Sequence, residues 1–356
     1  MPNFDHRETV ELLKQKLSIC AYSGSEDNAS DFLEQYLRSK GIAAFRVGNN
    51  VCAYAKHNKK GQKTVLINSH IDTVKASESY SFDPFKPFEK DGKLYGLGSN
   101  DAGGALVSFI QTFINLYEVE LPYNLLLILS SEEENSGSKG LGLALEQVDS
   151  IDMALIGEPT LMKVAIGERG LLVVDGMAHG EVGHAARNEG DNAIFHAIED
   201  ILYIQNFEFD KVSPLMGKVN KNVTVIQGGW QHNVIPDRCS FVVDIRPNEY
   251  YTNQEIVEIL QRGVKSELKA RSLKNECSFT PSNHTLIQCV QALGMETYIS
   301  PTTSDWMRLS CPAIKIGPGN SERSHSADEF IYVQEIADGI AGYTNILMKL
   351  TTRSYA

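Results

Sequence analysis

Residues 65–72 read Val-Leu-Ile-Asn-Ser-His-Ile-Asp, a short apolar run that ends in a histidine and an aspartate. Comparable apolar runs recur at 51–55, 125–129, 153–156 and 313–316, and helical patterns lie between most of them. Short, nearly continuous apolar strands separated by helices predict a mostly parallel sheet with helices on both faces. The expected fold class is therefore α/β.

Two helical patterns precede the first of these strands. Val10, Leu13 and Leu17 share one face of a helix predicted over residues 5–17. A second helix is expected to begin after Ser25 as its N-cap and to end at Gly41.

The middle of the chain has a different order of predicted strands and helices, which predicts an inserted domain. Its predicted order of strand, helix, strand, strand, helix and strand resembles a ferredoxin-like α+β unit. The six elements are expected at 171–177, 192–204, 222–227, 241–245, 254–268 and 277–280. We therefore expect a catalytic domain made of residues 1–168 and 281–356, with residues 169–280 inserted between them.

Composition excludes some partners and favours a compartment. The 356 residues carry a formal net charge of -12, which argues against nucleic acid or an anionic membrane as the main partner. The longest aliphatic run, 125–129, is far shorter than the ~20 residues that span a bilayer. No signal peptide is visible, and the six scattered cysteines lack a Cys-x-x-Cys pair, which favours reduced thiols in the cytoplasm.

Acidic residues or histidines follow the predicted strands or precede a predicted helix. Ligands of open parallel sheets bind beyond the carboxyl ends of the strands, so these side chains are expected to meet in one cleft. Taken singly, each would be an ordinary surface residue or, for Asp101, a helix N-cap. The segments are Ser69-His70-Ile71-Asp72, Gly98-Ser99-Asn100-Asp101, Glu132-Glu133-Glu134, Gly157-Glu158-Pro159-Thr160 and the loop that reaches His325.

So many carboxylates in one cleft would repel one another, and two divalent cations are their natural counter-charge. Two histidines with several carboxylates and no cysteine suit zinc, with cobalt or manganese as substitutes.

These motifs, in this order and over nearly the whole chain, resemble the two-metal aminoacylase/carboxypeptidase family. That family includes acetylornithine deacetylase, succinyl-diaminopimelate desuccinylase and glutamate carboxypeptidase. The resemblance implies that His70 and Glu158 hold one zinc, that Glu134 and His325 hold the other, and that Asp101 bridges both.

The resemblance also implies roles for residues that do not bind metal. Asp72 would orient the His70 imidazole, and Glu133 would be the general base for an attacking water. His184, in Gly183-His184-Ala185-Ala186, would stabilise the oxyanion across a homodimer, and Asn233 would support it. These last two positions are also compatible with ordinary turn chemistry.

Two arginines match family positions that grip a substrate carboxylate: Arg246 and Arg169. An ion pair at the surface is the alternative for each. The chain also departs from the family in two places. Many members have a lysine soon after the bridging aspartate, whereas this chain reads Asp101-Ala102-Gly103-Gly104, and Glu168 replaces an arginine common in diaminopimelate-type enzymes. The loss of that arginine argues against a strongly anionic substrate.

The resemblance predicts a hydrolase that removes an acetyl or succinyl group from an Nα-acyl amino acid, with Nα-acyl-L-ornithine of arginine biosynthesis as the expected substrate. Alternatives in the same family are an acyl-lysine deacylase, a succinyl-diaminopimelate desuccinylase and a di- or tripeptidase. A non-catalytic binding protein on the same fold is the alternative of a different class. The chain has no Gly-x-Ser-x-Gly motif, so a serine hydrolase lacks a nucleophile.

Overall fold

The computed structural model describes residues 6–187 and 189–351, so Asp5 at the start of the first predicted helix lies outside it. The chain divides into two compact units. The first unit comprises 1–166, 280–298 and 304–356, and the second comprises 167–279 and 299–303. None of the helices in the described ranges has the length and apolar character needed to cross a membrane.

Eight α-helices are described: α1 His6–Leu17, α2 Asp27–Ser39, α3 Gly104–Leu116, α4 Leu141–Leu145, α5 Ala193–Asn206, α6 Asn253–Gln261, α7 Thr285–Ala292 and α8 Val333–Leu350. The strands of the first half are β1 Phe45–Val47, β2 Asn50–Tyr54, β3 Thr64–His70, β4 Phe88–Lys90, β5 Lys93–Tyr95, β6 Asn124–Ser130, β7 Met153–Ile156, β8 Val164–Glu168 and β9 Leu172–His179. The later strands are β10 Gly183–His184, β11 Asn220–Gly228, β12 Val234–Ile235, β13 Arg238–Arg246, β14 Glu267–Ala270, β15 Ser278–Phe279, β16 Thr297–Ser300, β17 Ala313–Lys315 and β18 Phe330–Tyr332.

The sheet of the first unit confirms the α/β class. Its strands follow the order β1-β2-β6-β3-β7-β17-β8, and the pairs β6–β3, β3–β7 and β7–β17 are parallel. The order reverses beside β3, because β6 lies on one side of it and β7 on the other. Such a reversal opens a crevice at the carboxyl ends of the strands, which is where the predicted ligands lie.

Both faces of this sheet are buried. In β3, Val65 and Ile67 pack into one hydrophobic cluster and Leu66 into another. The side chains of a strand alternate between faces, so two separate clusters mean that helices or loops cover each face. Phe109 of α3 and Tyr343 of α8 stack at 3.9 Å on one side.

The second unit is an antiparallel sheet of order β11-β13-β9-β14. Alternate residues of β9, such as Leu172 and Val174, are buried in one cluster with Ala197 of α5 and Ile256 of α6. The chain order β9-α5-β11-β13-α6-β14 is the predicted ferredoxin-like arrangement. A separate ribbon pairs β10 with β12.

Three details of the sequence prediction are wrong. The helix predicted over 254–268 ends at Gln261, because Gly263 interrupts it and residues 267–270 form strand β14, where exposed Glu267 and Lys269 flank buried Leu268. The strand expected at 277–280 covers Ser278–Phe279 and pairs with β8, so β14 is the fourth strand of the antiparallel sheet. Ser25 is not the N-cap of α2: that position is Glu26, and its side chain makes no cap hydrogen bond.

A candidate two-metal centre

His70 is the last residue of β3, and its side chain is 1% exposed. Its Nδ1 lies 2.9 Å from the main-chain oxygen of Asp72, which fixes the ring. Its Nε2 lies 3.2 Å from Oδ1 of Asp101 and 3.9 Å from Oε1 of Glu158. The strand end therefore aims one imidazole nitrogen at two carboxylates.

Asp101 lies in an irregular turn just before α3, and a buried glutamate holds that turn. The carboxylate of Glu329 accepts hydrogen bonds from the main-chain nitrogens of Gly98, Asn100 and Asp101, at 2.8, 2.8 and 2.9 Å. Burial, followed by the charge of Asp101, raises the pKa of Glu329 to about 7. Sequence reasoning missed Glu329, and its only signal is that it follows His325 by four residues.

His325 and Glu134 form the other half of the cluster. His325 Nε2 lies 2.9 Å from Oε2 of Glu134 and 3.8 Å from Oδ2 of Asp101. The hydrogen bond with Glu134 is the main cause that raises the pKa of His325 to about 9. His325 has a φ of 56°, a left-handed conformation that non-glycine residues adopt uncommonly.

The predicted ligands thus fall into two groups of three that share Asp101: His70, Asp101 and Glu158 in one, and Asp101, Glu134 and His325 in the other. In each group, one ligand atom per residue lies within 4.8 Å of the others. The ligand atoms are imidazole nitrogens and carboxylate oxygens, which suit a divalent metal.

The electrostatics of the cluster fit bound cations. Burial first, and then neighbouring Asp101, keep the pKa of Glu158 raised to about 8 although His70 opposes the shift. Burial disfavours the charged His70 ring, yet hydrogen bonds with Asp101 and Asp72 outweigh it and raise the pKa of His70 well above its usual value. Asp101 contributes to both shifts, and two divalent cations would neutralise the negative charge that these carboxylates bring together.

Asp72 holds three parts of the centre together. Its carboxylate accepts hydrogen bonds from the main-chain nitrogens of Glu133 and Glu134, each at 3.1 Å, and from the Ser23 hydroxyl at 2.6 Å. It meets the His70 ring mainly through its main-chain oxygen, since Oδ1 is 3.6 Å from Nδ1. Burial opposes ionisation, but the nearby His70 ring, together with the Ser23 hydroxyl, keeps the pKa of Asp72 below its usual value.

Glu133 belongs to neither ligand group. Burial, and then the charge of Glu158, raise the pKa of the Glu133 carboxyl well above its usual value. Asp305 contributes to the same effect. A half-buried carboxylate that is not committed to a ligand group, and whose pKa is raised by the charge of Glu158 in one of these groups, can accept a proton at neutral pH.

A second loop-holding glutamate, Glu26, also escaped the sequence analysis. Its side chain is fully buried and accepts hydrogen bonds from the main-chain nitrogens of Gly24 at 2.7 Å and Glu132 at 3.2 Å. Glu26 therefore supports the loop that carries Glu133 and Glu134. No pattern in the sequence marks it.

Four other predicted site residues lie in the second unit. His184 and Asn233 are exposed and lie close together. His184 pairs with Val234 in the β10–β12 ribbon, and the main-chain nitrogen of Ala185 donates to the main-chain oxygen of Asn233 at 3.2 Å. The two arginines have internal partners. Arg246 binds Asp244 through Nε at 2.8 Å, and Arg169 donates to the main-chain oxygens of Met216, Lys218 and Arg246.

A parallel sheet that gathers two histidine–carboxylate groups around a shared aspartate defines a class of metal-dependent hydrolases. The comparison with protein families is specific: residues 66–349 match peptidase family M20/M25/M40. The chain belongs to this family and is a metal-dependent hydrolase of it.

Curated relatives align with this chain over three quarters or more of its length. A peptidase M20 domain-containing protein of Schizosaccharomyces pombe is 28% identical over 355 residues, which is 95% of this chain and 84% of the relative. Succinyl-diaminopimelate desuccinylase of Wolbachia pipientis is 26% identical over 92% of this chain and 90% of its own length. Acetylornithine deacetylase of Proteus mirabilis is 28% identical over 76% of this chain and 75% of its own length.

Solved structures share the fold. A metallo-carboxypeptidase of Sulfolobus solfataricus superposes with a TM-score of 0.78 over 97% of this chain and 99% of its own, at 18% identity. A dinuclear metal-binding peptidase of Bacillus subtilis superposes with a TM-score of 0.74 over 97% of this chain and 98% of its own, at 15% identity. At such identities the likeness concerns the fold.

Proposed function

We propose that this protein is a two-zinc deacylase that hydrolyses the amide bond of an Nα-acyl amino acid. The observation that carries the proposal is the pair of ligand groups sharing Asp101, with Glu133 held beside them but outside both. Cobalt or manganese would serve the same ligands.

One cation would be held by His70, Asp101 and Glu158, and the other by Asp101, Glu134 and His325. When bound, the two ions would acidify a water molecule and polarise the acyl oxygen.

The protein supplies the proton transfers. The Glu133 carboxylate accepts a proton from the attacking water while the water oxygen bonds to the acyl carbon. As the C–N bond breaks, Glu133 returns this proton to the leaving nitrogen, which gives a carboxylic acid and a free amine. Asp72 fixes the loop that presents Glu133 through its hydrogen bond to the main chain.

The resemblance assigns further roles to four residues of the second unit. His184 would stabilise the developing oxyanion from the partner subunit of a homodimer, with Asn233 in support. Arg246 would bind the substrate carboxylate in exchange for Asp244, and Arg169 would assist by holding the end of β13, since it donates to the Arg246 carbonyl.

The surface of α5 supports the homodimer. Phe195, Ile198 and Leu202 share one face of the helix and are 64%, 41% and 50% exposed. Edge strand β11 adds exposed Ile226, which pairs with buried Phe241 and therefore lies on the face of the sheet that α5 covers. Apolar side chains grouped in this way mark an interaction surface, and a second copy of this chain is the occupant we propose.

The substrate we propose is Nα-acyl-L-ornithine, with acetyl or succinyl as the acyl group, which would place the enzyme in arginine biosynthesis. The relative named acetylornithine deacetylase supports this choice. Succinyl-diaminopimelate is the second candidate, because relatives named succinyl-diaminopimelate desuccinylase align over more of the chain. All six cysteines are free, which supports a cytoplasmic location.

The test is steady-state hydrolysis by zinc-loaded protein of Nα-acetyl- and Nα-succinyl-ornithine, Nα-acetyl-lysine, succinyl-diaminopimelate and several dipeptides, each with a chelator control. Preference for an acyl-ornithine that chelation abolishes would support the proposal. Chelator-sensitive cleavage of another compound would reassign the substrate. A protein that holds two metal ions and cleaves none of them would contradict the deacylase proposal.

A further inference from the structure

Helix α1 packs against the glycine-rich loop 96–103 that carries Asp101. A Cβ atom on Gly96 would lie 3.0 Å from Leu17 Cδ1, and one on Gly103 would lie 2.7 Å from Leu13 Cδ1. Between them, Gly98 has a φ of 76°, and a Cβ atom there would lie 3.7 Å from the ammonium nitrogen of Lys16. The Lys16 ammonium therefore lies beside the loop at Gly98, where a side chain is excluded by Thr73 Cγ2 at 2.4 Å.

Lys16 is a buried cation that the mechanism does not use. Its side chain is 2% exposed, and among the described residues no hydrogen bond or close ion pair joins its ammonium group. Burial lowers the pKa of Lys16 to about 8, and the carboxylates of Asp72, Glu329 and Glu134 oppose that shift. A buried ammonium without a hydrogen-bond partner is costly unless nearby negative charge stabilises it.

The charges of three acidic groups act on Lys16, and each of these groups has a place in the centre. Glu134 is a ligand of the proposed second metal, Asp72 holds the Glu133–Glu134 loop, and Glu329 holds the Asp101 turn. A cationic side chain at Gly103 of this turn would collide with the Gly98 carbonyl oxygen and with Leu13, so that position does not supply the counter-charge. Lys315 is the other buried lysine that acts on the cluster, and it acts on Glu158.

We propose that Lys16 is a positioning residue, the fixed counter-charge that keeps Asp72, Glu134 and Glu329 assembled around the Asp101 turn before metal binds. The inference rests on the proposed two-metal function. It concerns a residue that lies before the family match, which starts at residue 66.

This role predicts the direction in which loss of Lys16 changes stability and metal affinity. Without the ammonium, the metal-free centre carries one more uncompensated negative charge, so its carboxylates repel one another more strongly. Bound divalent cations remove most of that repulsion. Loss of Lys16 should therefore destabilise the metal-free protein more than the loaded protein, and should tighten metal binding.

The experiment compares full-length wild type with Lys16→Met, which keeps the length of the side chain and removes its charge. Lys14→Met is the matched control, because it removes the same charge from a half-buried position of α1, where Lys14 pairs with Glu11 and Glu89 at 3.4 Å. Melting temperatures are measured with chelator and with zinc, and zinc affinity is measured by competition with a chromophoric chelator.

We expect Lys16→Met to widen the gap between the loaded and metal-free melting temperatures by about 3 °C or more, and to lower the zinc dissociation constant roughly five-fold. Lys14→Met should change neither. Equal losses of stability with and without zinc in Lys16→Met would overturn the inference, since packing alone would then explain the residue.

If Lys16→Met does not fold, Lys16→Arg decides. A folded Lys16→Arg with the wild-type difference between its loaded and metal-free melting temperatures would support the counter-charge role. Failure of both variants to fold would show that the shape of the lysine side chain is required, and would overturn the inference. A wild type that binds no zinc and gains no stability from it would instead contradict the proposed function.

Discussion

Glu133 and Glu134 are neighbours in the chain, and their surroundings separate their roles. Glu134 Oε2 lies 2.9 Å from His325 Nε2 and belongs to a ligand group. Glu133 belongs to neither group, and burial beside Glu158 raises its pKa. One side chain is thus suited to hold a cation and the other to exchange a proton.

Glu133→Gln should retain two metal ions and lose nearly all turnover, by at least ~100-fold, because an amide cannot accept the proton from water. Metal content and kcat on the best substrate of the panel are the measurements. The neighbouring Glu132→Gln, which also removes one charge from this loop, is the control and should stay active. Substantial turnover in Glu133→Gln would remove Glu133 from the role of base.

Asp305 is buried and accepts a hydrogen bond from the Ser130 hydroxyl at 2.5 Å. Burial raises its pKa from 3.8 to about 6, although the bond from Ser130 opposes the shift. A raised pKa means that the folded protein binds this proton more tightly than the unfolded chain does. The resulting stabilisation is complete below pH ~4 and is lost as the pH rises through about 6.

The free energy of unfolding of Asp305→Asn, relative to that of wild type, should therefore increase as the pH rises from 5 to 7.5. The expected increase is roughly 1–2 kcal/mol in metal-free protein. Denaturant unfolding with chelator at the two pH values measures the change. Exposed Asp149→Asn is the control, with no such gain expected. An Asp305→Asn effect that is the same at both pH values would contradict the assignment.

At the scale of elements, the ends of parallel strands bring the ligands together. β3 ends at His70, and Glu158 follows β7 by two residues, with Gly157 between the strand and the ligand. A Cβ atom on Gly157 would lie 2.5 Å from Phe109 Cε2 and 3.0 Å from Ser69 Cβ. The close packing of α3 against this turn thus sets the position of Glu158.

Gly157→Ala should destabilise the protein by about 1–3 kcal/mol, because Phe109 is buried and stacked on Tyr343 and cannot move aside freely. Displacement of Glu158 should also weaken metal binding. Thermal unfolding and zinc titration test both effects. Gly142→Ala in α4 is the control, since a Cβ atom there meets nothing within 4 Å. A Gly157→Ala protein with wild-type stability and affinity would show that this turn is more adaptable than the packing indicates.

At the scale of the whole molecule, the first unit holds every predicted metal ligand, whereas the second holds His184, Asn233 and both arginines. The proposed dimer would give the second unit its function. Leu202→Glu places a charge in the exposed apolar face of α5 and should shift the protein from dimer to monomer in analytical ultracentrifugation.

Leu273→Glu is the control for the dimer, because Leu273 is an exposed leucine, 39% exposed, in the same unit outside α5. It should leave the dimer intact. A monomeric wild type, or a Leu202→Glu protein that remains dimeric, would contradict the proposed interface.

The sequence by itself predicted the α/β class and the segments that carry the ligands. These features depend on local patterns: apolar runs define buried strands, and the residues after each run lie at the carboxyl edge of a parallel sheet. The same local reasoning extended the helix at 254–268 into β14, because four residues of alternating burial at 267–270 are too short to distinguish from a helix turn by pattern alone.

Only the tertiary structure decided which side chains support the centre. Glu26, Glu329 and Lys16 lie far in sequence from the loops they serve, and each acts on them through main-chain amides or through its charge. A main-chain amide is common to almost every residue, and a buried charge depends on what surrounds it in space. Neither leaves a pattern in the sequence, so these residues could be found only after the loops were placed beside them.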